Sequence, residues 1–281
     1  MQSLLRSLTQ TLASCYSPKE ASSIAKIVLF EGMGFSTVRV YSGKDNDLSD
    51  MEYKKLQKII SRLLDFEPLQ YVLGSTVFCN LSLKVAPGVL IPRPETEELV
   101  NLIIRDNAGR ESRMLDMGTG SGCITIALKK ALPKVLVEAW DISTKALLQA
   151  QENASLLGTD ISFRQIDLLQ MQPTDDFIEK YDVLVSNPPY VLFSEQKEMD
   201  SQVLNWEPSE ALFVPDEDAL RFYLCIAKLG RKMLRKRGLL YFEINQRFGA
   251  EIIELLERLG YTHTQLIKDQ FLNDRIIKAE R

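Results

Sequence analysis

The chain has 281 residues, of which 45% are hydrophobic and 26% are charged, as in an ordinary globular protein of one large or two modest domains. Its formal net charge of −4 gives no general attraction to nucleic acid, although a local basic patch remains compatible with it. A single histidine, His263, argues against a Cys/His zinc site and against Ser-His-Asp catalysis. No apolar run approaches the length of a membrane span, so we expect neither a metal nor a membrane partner.

The cysteines are widely scattered and form no CxxC pair, which favours free thiols in a reducing compartment. Leu4, Leu8 and Leu12 fall at helical spacing among polar residues, which argues against an apolar leader segment. The sequence therefore predicts a cytoplasmic protein. The four cysteines are Cys15, Cys79, Cys123 and Cys225.

The first 73 residues have the pattern of a small helical bundle. Residues 17–20 (Ser-Pro-Lys-Glu) combine a capping box with proline at the first helical position, and residues 49–52 (Ser-Asp-Met-Glu) form a second capping box. Nothing in this stretch is typical of a catalytic site. We expect residues 1–73 to be a domain that recognises the substrate or packs against a partner.

Residues 76–85 alternate with period two around Asn80, which predicts a β-hairpin, and we assign residues 74–90 to a hairpin linker. Residues 91–98 follow (Ile-Pro-Arg-Pro-Glu-Thr-Glu-Glu), and their acids fit the first turn of a helix, where the helix dipole favours negative charge. That helix does not explain Arg93 and Thr96, which are candidates for facing an active site.

From residue 113 onward, predicted strands alternate with predicted helices. Such alternation predicts an α/β fold in which helices cover both faces of a parallel sheet. The strands are predicted at residues 113–116, 135–140, 161–166, 181–185, 239–244, 262–267 and 275–280. The helices are predicted at residues 123–131, 144–157, 218–234 and 250–259.

A glycine-rich turn, residues 116–122 (Asp-Met-Gly-Thr-Gly-Ser-Gly), lies between the first of these strands and its helix. Its glycine spacing does not fit the dinucleotide fingerprint GxGxxG, and it lacks the Lys-Ser/Thr of a P-loop or any basic residue to meet a phosphate. An acid opening such a turn instead suits a cofactor with a positive centre and no phosphate. Asp141 ends the second strand, where a carboxylate can accept both ribose hydroxyls, and Asp167 ends the third, where it can accept from an adenine amino group.

Residues 187–190 (Asn-Pro-Pro-Tyr) directly follow the apolar strand 181–185. In open α/β sheets, ligands bind at the carboxyl ends of the strands. The two prolines stiffen the turn, the Asn187 side chain both donates and accepts hydrogen bonds, and Tyr190 adds an aromatic face. These residues suit a planar group that carries an NH2. On their own they are equally compatible with a proline-rich loop, and the glycine turn with the two aspartates favours a binding site.

Together these motifs resemble the class I S-adenosylmethionine-dependent methyltransferases that methylate amino groups, and more closely the release factor glutamine N5-methyltransferases (PrmC/HemK family). The resemblance covers nearly the whole chain and is carried by residues 91–97, 116–122, 185–190, 207–212 and 269–275. The chain departs from common family residues at Trp206, Asn245 and Leu272. The resemblance implies a seven-stranded, mostly parallel, Rossmann-like methyltransferase sheet within a domain at residues 91–281.

The resemblance also implies the cofactor, the substrate and the residues that bind them. The cofactor is S-adenosyl-L-methionine, converted to S-adenosyl-L-homocysteine without a metal, and the acceptor is the glutamine of the Gly-Gly-Gln motif of peptide chain release factors. The expected partners are release factors, with no stable nucleic acid, and the protein is expected to act as a monomer. The expected catalytic residues are Asn187, Pro188 and Tyr190, and Pro189 joins these in substrate binding. The expected cofactor-binding residues are Gly118, Thr119, Gly120, Ser121, Gly122, Asp141, Asp167, Leu168 and Asn187.

Other acceptors share the Asn-Pro-Pro-Tyr motif. One is the exocyclic N6 of adenine or N2 of guanine in nucleic acid, reached by base flipping, and another is a glutamine of a ribosomal protein. The isoelectric point near 5.3 and the lack of a basic, aromatic-rich segment count against nucleic acid, since the basic residues at 228–237 fit the solvated end of a helix. A cofactor-binding regulatory protein would leave residues 187–190 without a role. We assign no catalytic role to Arg93 or Glu207.

Overall fold

A computed structural model describes residues 4–42 and 48–281. The described residues divide into two compact units, one from Met1–Ser75 with Asp200–Trp206 and one from Thr76–Met199 with Glu207–Arg281. The helical domain predicted at residues 1–73 includes residues 1–3 and 43–47, which lie outside the described part of the chain.

The smaller unit is helical, and of the two predicted capping boxes the one at Ser49 is complete, whereas at Ser17 only the serine side chain takes part. Its helices are α1 (Leu4–Leu12), α2 (Pro18–Ile27) with a π-helical turn (Val28–Gly32), α3 (Thr37–Ser42), α4 (Asp50–Leu64), α5 (Leu69–Leu73) and a further short helix (Ser201–Trp206). Ser17 Oγ accepts from the Glu20 N–H at 3.3 Å, and Ser49 and Glu52 form the reciprocal capping box at the start of α4. The apolar faces of the helices form one core, which includes Leu12, Ala25, Val28, Leu29 and Leu63.

The larger unit contains a short hairpin, a seven-stranded sheet and five longer helices. The hairpin pairs β1 (Ser75–Phe78) with β2 (Leu81–Lys84). The other strands are β3 (Arg113–Met117), β4 (Leu136–Asp141), β5 (Ser162–Gln165), β6 (Tyr181–Ser186), β7 (Val191–Leu192), β8 (Phe213–Val214), β9 (Leu234–Glu243), β10 (Thr262–Lys268) and β11 (Asp274–Glu280). The helices are α6 (Pro94–Asn107), α7 (Cys123–Ala131), α8 (Thr144–Leu156), α9 (Arg221–Met233) and α10 (Gly249–Arg258).

The strand order in the large sheet is β10-β11-β9-β6-β3-β4-β5. The five strands from β9 to β5 are parallel, whereas β11 pairs antiparallel with both β9 and β10. This arrangement confirms the predicted seven-stranded, mostly parallel α/β sheet.

Alternate side chains of the strands pack on opposite faces of the sheet, as the pleat requires. Leu115 and Leu184 belong to a core that contains residues of α9 and α10. Met114 and Val183 belong to a second core, which contains residues of α6 and α7 and also Phe78 of the hairpin. The sheet is therefore covered on both faces, which explains why its central strands read as continuous apolar runs.

The segment between β6 and α9 is more structured than the sequence predicts. It contains β7 and β8, which pair with each other, and three short 3₁₀ turns: Phe193–Glu198, Ser209–Ala211 and Asp216–Asp218. Two-residue strands are too short to leave a periodic signal. Strand β9 also begins at Leu234, five residues before the predicted start at 239, since Leu234 pairs with Tyr181 of β6.

Candidate active site

The candidate site lies where β3, β4 and β6 end on the same edge of the sheet. Strand β3 pairs with β4 on one side and with β6 on the other, so the direction in which successive strands are added reverses at β3. Such a switch point is where open α/β sheets bind ligands. The Ser186 hydroxyl at the end of β6 donates to the Met117 carbonyl at the end of β3 at 2.5 Å, which fastens the two loops together.

The glycine-rich turn leaves open space on one side and packs tightly on the other. The N–H groups of Gly118 and Thr119 both donate to the Trp140 carbonyl, at 2.8 and 3.0 Å. Gly118 has a φ of +84°, and a Cβ built there would meet no atom within 4 Å. Gly122 has a φ of +81°, but a Cβ there would lie 3.0 Å from the Ala150 Cβ of α8. The first position therefore leaves room for a ligand, and the second allows α7 to approach α8.

Asp116 is a buried carboxylate without a partner. It is 1% exposed, and neither of its side-chain oxygens has a hydrogen-bond partner within residues 4–42 and 48–281. The pKa of this carboxyl is raised to about 7, chiefly by burial; the Thr119 side chain opposes the rise, and the negative charge of Asp141 adds to it. Buried polar groups are nearly always paired in native proteins, so these two oxygens need a partner. They fit a cofactor with a positive centre.

Asp141 is held between the turns that follow β3 and β4. Its Oδ2 accepts from the Gly120 N–H at 2.8 Å and its Oδ1 accepts from the Ser143 N–H at 2.9 Å. Burial raises the pKa of this carboxyl, while the N–H groups of Ser143 and Gly120 oppose the rise. The carboxylate is thus fixed in direction and keeps lone pairs for further donors.

Asp167 and Leu168 follow β5, the neighbour of β4 in the sheet. Asp167 is exposed, and its Oδ1 accepts from the Leu169 N–H at 2.9 Å within its own turn. Leu168 is buried, and its carbonyl accepts from the Cys225 thiol at 3.0 Å. No hydrogen bond among the described residues links Asp167 to the glycine-rich turn, in contrast to Asp141.

The Asn-Pro-Pro-Tyr segment is fastened to three neighbouring elements. Asn187 Nδ2 donates to the Thr96 hydroxyl of α6 at 3.2 Å, and the Tyr190 hydroxyl donates to Glu243 Oε1 of β9 at 3.2 Å. The Tyr190 N–H donates to the Leu212 carbonyl, also at 3.2 Å. Between these bonds Pro188 is buried and Pro189 is half-buried, so the loop has one fixed shape.

Known proteins are similar in sequence to this chain over nearly its whole length. Residues 3–74 match the family described as PrmC N-terminal domain, and residues 92–206 match the Methyltransferase small domain. The release factor glutamine methyltransferase of Bacteroides thetaiotaomicron is 47% identical over 98% of both chains. That of Flavobacterium psychrophilum is 44% identical over 96% of this chain and 95% of its own. The chain belongs to the release factor glutamine methyltransferase family.

As a member of that family, the protein is a methyltransferase enzyme, which confirms the resemblance inferred from its motifs. A methyltransferase from Pyrococcus furiosus superposes with a TM-score of 0.52 over 83% of this chain and 98% of its own. At 13% identity, that likeness shows the fold alone.

The sequence predicts that Arg93 and Thr96 both face the active site, and the structure gives them different partners. Thr96 contacts Asn187, as described above. Arg93 instead pairs with Glu207, its Nη2 donating to Glu207 Oε1 at 2.6 Å. No hydrogen bond among the described residues joins Arg93 to residues 187–190.

Sequence reasoning missed Glu243, which is 1% exposed at the end of β9. It accepts from both Thr96, at 2.7 Å, and Tyr190. Its signal was available, because it is an acid at the carboxyl end of a strand, as Asp141 is. Asn245 was also noted only as a departure, yet its Nδ2 donates to the Tyr190 carbonyl at 3.2 Å.

Within residues 4–42 and 48–281, no helix is both long and apolar enough to cross a membrane. In the same part of the chain, no cluster of three or more His, Cys, Asp and Glu side chains is arranged to hold a metal ion.

Proposed function

We propose that this protein transfers the methyl group of S-adenosyl-L-methionine to the side-chain nitrogen of the glutamine in the Gly-Gly-Gln motif of peptide chain release factors. The relatives named for this reaction, at 47% and 44% identity, support the class of acceptor. The observation that carries the proposal is the orientation of Asn187. Its Nδ2 is engaged by Thr96, and its Oδ1 has no donor among the described residues.

A primary amide presents two N–H donors, and the site offers two acceptors for them. Asn187 Oδ1 is one, and the Pro188 carbonyl, which also lacks a donor among the described residues, is the other. The flanking prolines fix the direction of that carbonyl. A glutamine nitrogen is a poor nucleophile because its lone pair is delocalised into the carbonyl. Two hydrogen bonds from its N–H groups raise the electron density on nitrogen and stabilise the positive charge that develops there.

S-adenosyl-L-methionine supplies a methyl group on a positively charged sulfur, which the acceptor nitrogen displaces in line. The Asp116 carboxylate, whose oxygens have no hydrogen-bond partner among the described residues, would balance positive charge on the bound cofactor. Asp141, which the Gly120 N–H holds in direction, would accept from the ribose hydroxyls. Asp167 would accept from the adenine amino group, with Leu168 beside it. The turn of Gly118, Thr119, Gly120, Ser121 and Gly122 lets the backbone approach the cofactor.

The remaining requirement is alignment, since a displacement of this kind depends on the distance and angle between donor and acceptor. Tyr190 packs against the flat substrate amide, and its hydroxyl is anchored by Glu243. Pro189 shapes the wall of the site. No general base has to act before transfer, because the acceptor nitrogen becomes acidic only once it carries the methyl group, and it then loses one proton to water. This agrees with a chain whose one histidine, His263, is in β10.

The test is methyl transfer from labelled S-adenosyl-L-methionine to four acceptors in parallel. These are a full-length release factor, its Gly-Gly-Gln→Gly-Gly-Ala variant, purified ribosomal proteins and a pool of RNA and DNA. We expect label only on the release factor that retains its Gly-Gly-Gln sequence. Label on ribosomal protein or nucleic acid alone would overturn the proposed substrate.

The variant Asn187→Ala tests the site itself. We expect turnover to fall by about 10²-fold or more, since the side-chain acceptor for the substrate amide is lost, while S-adenosyl-L-homocysteine binds within about threefold of its original affinity. Isothermal titration measures the second quantity. Equal loss of binding and turnover would contradict the role given to Asn187.

We also propose that the protein acts as a monomer in the cytoplasm. The cysteines Cys15, Cys79, Cys123 and Cys225 are all free, which suits a reducing compartment. Light scattering at micromolar concentration should give a mass near 32.0 kDa.

A further inference from the structure

Behind the Asn-Pro-Pro-Tyr segment lies a chain of three polar side chains from three separate elements. Glu243 ends β9, Thr96 lies in the first turn of α6, and Asn187 follows β6. Thr96 and Glu243 are 2% and 1% exposed, so water does not replace their mutual contacts. In a buried network no water supplies extra donors or acceptors. The number of hydrogens on the side chains therefore determines which group donates and which accepts in each bond.

The hydroxyl of Thr96 has one hydrogen and two neighbours. It lies 2.7 Å from Glu243 Oε2, and an ionised carboxylate can only accept. Thr96 therefore gives its hydrogen to Glu243. Its oxygen is then left as an acceptor towards Asn187, 3.2 Å away, and only the NH2 end of the Asn187 amide can donate to it.

Two hydroxyl groups donate to Glu243, one to each of its carboxylate oxygens. Burial raises the pKa of this carboxyl, and the Thr96 hydroxyl, the positive charge of Arg275 and the Tyr190 hydroxyl make that rise smaller. Its Oε1 accepts from the Tyr190 hydroxyl, whose own pKa is raised by burial and by the charge of Glu243, so this hydroxyl remains a donor. Its main-chain carbonyl accepts from the Tyr223 hydroxyl at 3.2 Å.

The two ends of an asparagine amide have nearly the same shape, so packing alone does not distinguish them. If the Asn187 amide were reversed, its NH2 would face the NH2 of the substrate, and two donors would meet without an acceptor between them. A donor left unpaired in this way is unfavourable, because it gives up its bond to water and gains none in return. Because the Thr96 oxygen offers Asn187 only an acceptor, it disfavours the reversed amide, in which Oδ1 would face Thr96.

We infer that Thr96 and Glu243 are positioning residues, which set the orientation of the Asn187 amide so that Oδ1 faces an acceptor bearing N–H groups. This inference rests on the proposed function, because it concerns how the same site selects a primary amide. It extends the site by two residues that do not themselves touch the reacting atoms.

A matched pair of substitutions separates polarity from packing. Thr96→Val keeps the shape of the side chain and removes the hydroxyl, whereas Thr96→Ser keeps the hydroxyl and removes a methyl group. We expect kcat for release-factor methylation to fall by about 10- to 100-fold in Thr96→Val, in line with the effect of a misplaced contact. In Thr96→Ser we expect kcat within about threefold of the wild-type value. Both variants should bind S-adenosyl-L-homocysteine as the wild type does.

Glu243→Gln extends the test to the next residue. Its new NH2 can donate to Thr96, which then passes its own hydrogen to Asn187 and favours the reversed amide. We expect kcat to fall in the same direction as in Thr96→Val. Because Tyr190 also contacts Glu243, the Thr96 pair remains the deciding comparison.

A second readout follows the amide without any substrate. In 15N-labelled protein, the side-chain NH2 signals of Asn187 are assigned by their disappearance in Asn187→Ala. We expect slowed hydrogen exchange of these protons in the wild type and in Thr96→Ser, and fast exchange in Thr96→Val. A wild-type enzyme that leaves release factors unmethylated would overturn the proposed function, while the exchange result would still decide the orientation of Asn187.

Two outcomes would overturn the positioning role. One is unchanged turnover and unchanged exchange in Thr96→Val. The other is an equal fall of kcat in Thr96→Val and Thr96→Ser together with a lowered melting temperature in both, which would show that Thr96 contributes only to packing.

Discussion

The guanidinium of Arg93 donates to Glu207 Oε1 at 2.6 Å, although 114 positions separate the two residues in the chain. Glu207 Oε2 also accepts from the Ile91 N–H at 3.2 Å. Glu207 therefore holds the extended segment that leads into α6, the helix that carries Thr96. This explains two motifs that define the family resemblance, residues 91–97 and 207–208, as a structural connection beside the site.

The two members of this pair are unequally buried, which predicts unequal effects. The Glu207 side chain is 2% exposed and that of Arg93 is 32% exposed. Arg93→Met leaves a buried carboxylate without its charge partner, and we expect the free energy of unfolding to fall by about 2–3 kcal/mol. This is less than for a fully buried pair, because Arg93 is partly hydrated. Glu207→Gln leaves a guanidinium that water can reach, and we expect the free energy of unfolding to fall by only about 1 kcal/mol.

Urea unfolding at pH 7 measures both free energies. The double variant is the control, and its loss should be smaller than the sum of the single losses. A larger loss in Glu207→Gln than in Arg93→Met would contradict this reading of the pair.

Asp116 predicts a specific pH dependence of stability. Its pKa in the folded protein is about 7, whereas the ordinary value for an aspartate is 3.8. Between these values the folded state binds more protons than the unfolded state, so this group lowers the free energy of unfolding as pH rises. Its stabilisation is fully present below about pH 4 and is lost as pH rises through about 7.

Asp116→Asn removes that dependence. Without cofactor, we expect the variant and the wild type to be equally stable near pH 4, and the variant to be more stable at pH 8 by up to about 4 kcal/mol, from 1.36 kcal/mol per unit of pKa. We expect the variant to bind S-adenosyl-L-methionine more weakly. Parallel unfolding curves across this range would show that Asp116 keeps an ordinary pKa.

The glycine-rich turn predicts opposite effects for two similar substitutions. Alanine at either Gly118 or Gly122 places a side chain at positive φ, at roughly 1–2 kcal/mol. Only Gly122→Ala also brings a Cβ within 3.0 Å of Ala150, which adds about 1–3 kcal/mol of overpacking. We expect Gly122→Ala to lower the unfolding free energy more, and Gly118→Ala to lower cofactor affinity more. Isothermal titration with S-adenosyl-L-homocysteine measures the affinity of both variants, and urea unfolding measures their stability. If the same variant were the more impaired in both assays, the prediction would be wrong.

The role proposed for Asp141 can be tested on the ligand side. We expect Asp141→Asn to weaken S-adenosyl-L-homocysteine binding by about 10- to 100-fold, because charge-assisted hydrogen bonds to the ribose are lost. An analogue that lacks the 2′-hydroxyl should bind the wild type less tightly than the parent compound. The ratio of the two affinities, for S-adenosyl-L-homocysteine and for the analogue without the 2′-hydroxyl, should be smaller in Asp141→Asn than in the wild type. Equal discrimination by both proteins would place the ribose elsewhere.

The parts of the fold that the sequence predicts well are those encoded locally. The capping residues Ser17 and Ser49 are found at the starts of α2 and α4, and α7 has the predicted bounds, Cys123–Ala131. The parallel sheet follows from alternating strands and helices. These features depend on residues a few positions apart, and one sequence is sufficient to see them.

The missed parts depend on contacts between distant segments. Ser186 pairs with Phe242, so the next residues along the two parallel strands, Asn187 and Glu243, reach the same level of the sheet edge. Nothing local to Glu243 reveals that register. The bond between Arg93 and Glu207 is hidden for the same reason, since it requires the path of the chain through β7 and β8.

The position of β11 has a consequence for vectorial synthesis. This strand inserts between β9 and β10, and its Ile276 pairs with Glu243. Until residues 274–280 have left the ribosome, β9 presents an open edge that includes Leu239, Leu240 and Phe242, and such an edge is a template for wrong pairing. A nascent chain can therefore form the part of the sheet made by β3, β4, β5 and β6 early, whereas the edge of β9 and the final surroundings of Glu243 are completed only when β11 pairs.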